Sequence, residues 1–213
     1  MAFSMPATKS APKTVEQLVP VGLHIGRCYG IVDLGSQKGS VQFPAPKRKI
    51  LMLWELPELM KVFKEEKGEQ PMVLKKKYTY AFSDKSILFK DLKSWFSDKP
   101  QGDMAHWLQD LSIGRPAYLN VTQEVFEVAG EKINYNSISS ISPLPPKTKC
   151  PAAINKPVLF DMFGAFDEEK FNALPEWIQK EIKKSPEYGK CIGASILGDG
   201  TINKKYSVDD LPF

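Results

Sequence analysis

The feature that most constrains this chain is a change of hydrophobic period inside residues 21–142. Strand-like runs occupy Gly22–Leu34, Lys47–Leu56 and Leu74–Phe82. Helical spacing then takes over at Leu88, Leu92 and Trp95, with Ser83 or Asp84 as the cap. Strand-like runs resume at Pro116–Val128 and Lys132–Ile141. In the fourth run, Leu119 and Val121 share one face, and Tyr118, Asn120 and Thr122 the other. The first run carries Leu23, Ile25, Tyr29, Ile31 and Val32 around Gly26 and Gly30, and glycines inside a strand mark bends or close backbone approach. Pro57 ends the second run, and the charged stretch 58–73 reads as a loop or short helical excursion. A second short helical stretch is expected over 103–111, ending near Gly114.

The resulting order is strand, loop, strand, strand, helix, strand, strand. It is the order of an OB-fold, a mainly β, five-stranded, partly closed barrel with a helix between strands 3 and 4. Pro143, Pro145 and Pro146 close that domain. The flanking segments differ. Residues 1–20 read as a disordered leader, 21–146 as the OB-fold domain, 147–190 as a linker and amphipathic helix, and 191–213 as a flexible tail with an acidic tip. Phe171, Leu174, Trp177, Ile178 and Ile182 form the helix's apolar stripe, with Pro175 near its first turn or dividing it and Ser185-Pro186 ending it.

Charge is distributed unevenly. Residues 1–149 hold 21 Lys+Arg against 15 Asp+Glu, whereas residues 150–213 hold 8 against 10. The whole chain is +4. A basic front and an acidic rear suit a polyanion-binding domain followed by a segment with another task. The three cysteines, Cys28, Cys150 and Cys191, are odd in number and far apart, and argue for a reducing cytoplasm and against a disulfide framework. No apolar run reaches the roughly 18 residues of a membrane span, and no signal-peptide core is present in the leader.

Two basic clusters stand beside aromatic residues. Lys47, Arg48 and Lys49 precede Trp54; Lys75, Lys76 and Lys77 precede Tyr78, Tyr80 and Phe82. Cations neutralise phosphates and release counterions, and aromatic faces stack on bases of any sequence. OB-folds bind over strands 2 and 3, where these residues fall. Arg27 and Tyr29 in the first strand, and Phe43 in the following loop, are further candidates. An alternating apolar stripe is also what a barrel core looks like, so each ring has two readings.

The chain given ends in Asp209-Asp210-Leu211-Pro212-Phe213. A terminal ring can enter a pocket while its carboxylate meets a basic residue and the aspartates steer. This tip resembles that of bacterial single-stranded DNA-binding proteins, which end in an acidic run closing with Pro-Phe. The resemblance implies recruitment of replication and recombination proteins (polymerase, helicase, primase or nuclease) through Asp209, Asp210, Leu211, Pro212 and Phe213. Three further stretches look similar to a family of small phage replication proteins: residues 27–35, Trp54-Glu55-Leu56-Pro57 and Lys85-Ser86 through Lys90-Asp91-Leu92 to Trp95. So does the segment from Leu174-Pro175-Glu176-Trp177 to Ser185-Pro186-Glu187-Tyr188. That resemblance implies a single-stranded DNA-binding protein.

Catalytic signatures are sparse. His24 and His106, the only histidines, lack partners at metal-ligand spacing, and no phosphate-binding loop is present. The expectation is a binding module without metal or cofactor, whose partners are single-stranded DNA and replication proteins, with a homo-oligomer left open. The alternatives are a metal-dependent nuclease and a protein-binding assembly factor.

Overall fold

The computed structural model describes residues 18–39, 43–97, 102–103, 106–128, 131–162 and 166–196. Its strands are β1 (Gly22–Gln37), β2 (Lys47–Lys64), β3 (Gly68–Thr79), β4 (Pro116–Val128), β5 (Glu131–Ser142) and β6 (Val158–Phe160). Its α-helices are α1 (Ile87–Phe96), α2 (Glu168–Ala173), α3 (Glu176–Ile182) and α4 (Pro186–Ile196). No helix among the described residues is long and apolar enough to cross a membrane.

The sheet order is β3-β2-β1-β4-β5, with β6 joined to β1. Since β3 also lies against β5, the sheet curls into a nearly closed antiparallel barrel, consistent with an OB-like architecture. β1 pairs with β4 from Gly22↔Val121 to Arg27↔Pro116, and β4 pairs with β5 from Tyr118↔Ser142 to Val128↔Glu131. The register shifts between Asn120 and Val121, a bulge of the kind that bends barrel strands. Gly26 shows why β1 needs glycine: a Cβ there would lie 2.4 Å from Leu119 Cδ1.

The barrel core follows the alternation. Ile50, Met52, Trp54 and Leu56 of β2, Met72, Leu74 and Tyr78 of β3, and Leu119, Val121, Ile138 and Ile141 of β4 and β5 pack inward. Leu88, Leu92 and Trp95 of α1 complete the cluster. The Trp54 and Trp95 ring centroids lie 4.8 Å apart with the planes tilted by 55°, and Trp95 Nε1 donates to the Pro116 carbonyl at 2.9 Å. The cap of α1 is Ser86, not Ser83 or Asp84: its Oγ accepts from the Phe89 N–H at 3.1 Å while donating to the Ala81 carbonyl. The second helical stretch is a single π turn over His106–Asp110.

β2 continues through Pro57 to Lys64, where a loop was expected. A 3-10 turn at Glu65–Lys67 and Gly68 at φ +64° lead into β3. Met60, Val62, Phe63, Met72 and Val73 supply strand-forming residues among the charges that dominate this stretch. β3 starts earlier than expected and ends at Thr79.

The described residues divide into two compact units, one within 18–32 and 50–159 and the other within 33–49 and 160–196. The first contains the barrel. In the second, Phe160, Phe166, Phe171 and Tyr188 form an aromatic cluster with ring separations from 5.3 to 5.9 Å. Asp33 organises its polar interior, accepting from Gly35 N at 2.9 Å, Arg48 Nε at 3.1 Å and Met162 N at 3.2 Å. Pro175 divides the expected helix into α2 and α3. Ser185 does not end the helical region; its Oγ accepts from Tyr188 N at 3.2 Å at the start of α4, with Pro186 in the first turn. Trp177, read as part of the apolar stripe, is 42% exposed, whereas Phe171, Leu174, Ile178 and Ile182 are buried.

Candidate nucleic-acid interface

On β3, Met72, Leu74 and Tyr78 face the core, and the intervening Val73, Lys75 and Lys77 are exposed. Alternation therefore sends Lys75 and Lys77 outward, two residues or about 6.6 Å apart along the strand. Lys76 turns the other way. Its Nζ lies 2.7 Å from Asp91 Oδ2 of α1, which also accepts from the Tyr78 hydroxyl at 2.7 Å. Burial first, then the Asp91 charge and hydrogen bond, hold the Tyr78 hydroxyl well above the usual tyrosine range.

Four aromatic candidates lie differently from the one-faced stacking stripe expected of them. Trp54 is fully buried against Trp95, and Tyr78 is a core residue, so neither presents a face for a base. Because β3 stops at Thr79, Tyr80 and Phe82 do not continue its alternation. Tyr80 packs partly buried against the core, and Phe82 is 40% exposed in an edge contact with Phe89. Phe82 is the candidate ring most open to a ligand in the barrel unit.

The first basic cluster belongs to the second unit. There Lys47 is exposed with its Nζ 5.4 Å over the exposed Phe43 ring. Arg48 is engaged by Asp33 and lies 3.4 Å from Asp161, and Lys49 is half-buried.

Arg27 and Tyr29 of β1 sit beside Glu55 of β2, a carboxylate that sequence reading did not single out. Glu55 is fully buried, on the face of β2 opposite the core residues. It accepts from Ile154 N at 3.2 Å, Asn155 N at 2.7 Å and Asn155 Nδ2 at 2.9 Å. Arg27 Nε stands 3.7 Å from Glu55 Oε1, while its two Nη atoms donate to the carbonyls of Gly114 and Pro151. The Tyr29 hydroxyl is pushed up to about 12 by burial, with the charge of Glu55 adding. Arg27 is thus committed to an internal network. No periodic signal marks Glu55, because an acidic residue between Trp54 and Leu56 reads as an ordinary outward position.

The β4–β5 hairpin adds another surface ring. Tyr135 is 41% exposed, opposite Glu124 in the ladder, and its hydroxyl donates to Glu124 Oε2 at 2.5 Å. Asp209, Asp210, Leu211, Pro212 and Phe213 lie outside the described residues. Among the described residues, no group of three or more His, Cys, Asp or Glu side chains could hold a metal ion. No protein-family model matches this chain, and no curated protein sequence matches it.

Proposed function

We propose that this chain binds single-stranded DNA through an OB-fold domain and recruits replication or recombination proteins through Asp209–Phe213, acting in the cytoplasm without catalysis of its own. The observation that carries the reading is the outward pair Lys75 and Lys77 on β3 of a nearly closed barrel, with Phe82 exposed beyond the strand's end. Cations that alternate out of a strand track a phosphate backbone, and a nearby ring gives a base something to stack on at about 1–3 kcal/mol per base. In OB-folds this face is where single strands lie. Lys76, Arg27 and Arg48 take a different part, since carboxylates hold them within the fold.

The test separates the two activities. Binding of a fluorescent oligo-dT is measured with unlabelled duplex as competitor, for the full chain and for one lacking residues 207–213. The reading expects oligo-dT binding that duplex competes poorly, equal or tighter binding after truncation, and loss of association with replication proteins. Loss of DNA binding on truncation would break the proposed division of labour.

A further inference from the structure

Residues 147–157 run from the end of β5 toward β6, and their composition reads as a linker. The structure instead lays them along the barrel. A turn opens the segment, with Thr148 N donating to the Pro145 carbonyl at 3.1 Å and Lys147 at φ +77°. Arg27 then holds the Pro151 carbonyl, and Glu55 takes the N–H groups of Ile154 and Asn155 and the side-chain amide of Asn155. Further along, Val158 packs over Gly30, where a Cβ would lie 3.1 Å from Val158 Cβ and 3.0 Å from Leu53 Cδ1. Ile50, Met52, Trp54 and Leu56 point into the core, so Leu53 and Glu55 belong to the outer face of β2. The segment is a strap across that outer face.

The strap's anchors are backbone groups, one amide side chain and Val158. Its cations are not among them. Lys147, Lys149 and Lys156 are all exposed, and none hydrogen-bonds or ion-pairs with a described residue. Beneath them Arg27 and Glu55 offset each other's charge. Glu58 of β2, also exposed, acts through its charge on Cys150 and sets one negative charge against the three lysines. The strap face is therefore cationic, and its positive charge comes from these three lysines.

We propose that the strap is a second part of the nucleic-acid interface, in which Lys147, Lys149 and Lys156 bind the phosphates of single-stranded DNA on the face where Arg27 is internally committed. This rests on the reading of the chain as a single-stranded DNA-binding protein and extends it to a surface that the strand clusters do not include. Ordered anchoring matters here. Lysines on a flexible tether would lose more side-chain and backbone freedom for each phosphate they met.

The experiment uses the full chain. Lysines are acetylated under limiting reagent with and without excess oligo-dT, and each site is quantified by mass spectrometry, with Lys180 on α3 as internal reference. Lys147, Lys149 and Lys156 are expected to be labelled at least about threefold less in the DNA complex. The Lys147→Ala/Lys149→Ala/Lys156→Ala variant is expected to keep its melting temperature. Its slope of log affinity against log salt should flatten by about 2, from roughly 0.7 per phosphate on a single strand. Unchanged labelling of the three strap lysines in a chain that binds oligo-dT would overturn this inference alone. Failure of the unmodified chain to bind oligo-dT would overturn both it and the functional reading.

Discussion

The Glu55 carboxylate accepts from the Asn155 backbone N–H at 2.7 Å and from Asn155 Nδ2 at 2.9 Å, across 100 residues of chain. A fully buried carboxylate is costly to desolvate. Here that cost is offset by donors from the strap and by Arg27 at 3.7 Å. The same contact fixes the strap in place.

Removing that carboxylate should therefore act at two places. Glu55→Ala leaves the donors of Ile154 and Asn155 unpaired and opens a void, and is expected to lower stability by about 3 kcal/mol. Urea unfolding gives the energy. Trypsin cleavage after Lys149 should accelerate in the same variant. A change under about 0.5 kcal/mol, within the range of ordinary surface substitutions, would contradict the assignment of Glu55 as the strap's anchor.

Trp54 tests the division between core and surface rings. Its Nε1 is buried with no hydrogen-bond partner, so a Trp54→Phe substitution gives up volume but no hydrogen bond. Stability should fall by about 1–2 kcal/mol, with oligo-dT affinity unchanged. Trp95→Ala, which also removes the bond to Pro116, should cost about 3–5 kcal/mol. A folded Trp54→Phe protein with weakened DNA binding would put this ring at the interface after all.

The three adjacent lysines of β3 should separate by parity. Lys75→Ala/Lys77→Ala removes two outward charges and should flatten the salt dependence of oligo-dT binding by about 1.4. Lys76→Ala breaks the pair with Asp91 and should cost about 1 kcal/mol of stability, leaving the salt slope intact. Equal effects of all three on DNA binding would contradict the geometry of the strand.

Alkaline pH should expose the buried thiol. Burial pushes Cys28 from its ordinary value of 9.0 up to about 12, partly countered by a backbone hydrogen bond from Gly30. A folded-state value above the unfolded one means the neutral thiol's contribution is fully present below pH 9 and is lost as pH rises toward 12. Unfolding releases this proton, so stability falls by about 1.4 kcal/mol per pH unit from this group alone. Tyr29, also raised to about 12, adds to the decline above its ordinary value of 10.0. Urea titrations from pH 8 to 11 should show Cys28→Ala with a slope shallower by one proton. Identical slopes would refute the buried neutral thiol.

The strand order and the core face of β4 were legible because alternation and a change of period survive in the sequence. Leu119 and Val121 are buried as their spacing requires, and Leu88, Leu92 and Trp95 share the core. The length of β2 was not legible, because charged residues around Met60, Val62 and Phe63 resemble a loop when local composition is read alone. Tyr78 and Trp54 illustrate a deeper limit. An aromatic residue in a basic neighbourhood suits both a core and a stacking platform, and only the position of α1, with Trp95 and Asp91, assigns them inward. The strap was hidden for another reason. Its anchors are mostly backbone groups met by a distant Arg27 and Glu55, and backbone hydrogen bonding leaves no side-chain pattern to read.

The central claim is tested most directly by titrating oligo-dT binding between 50 and 500 mM salt, conditions chosen to resolve counterion release. Several lysine–phosphate contacts should give a steep linear fall in log affinity, about 0.7 per contact, with little difference among base compositions. Binding that is weak and indifferent to salt would contradict the account.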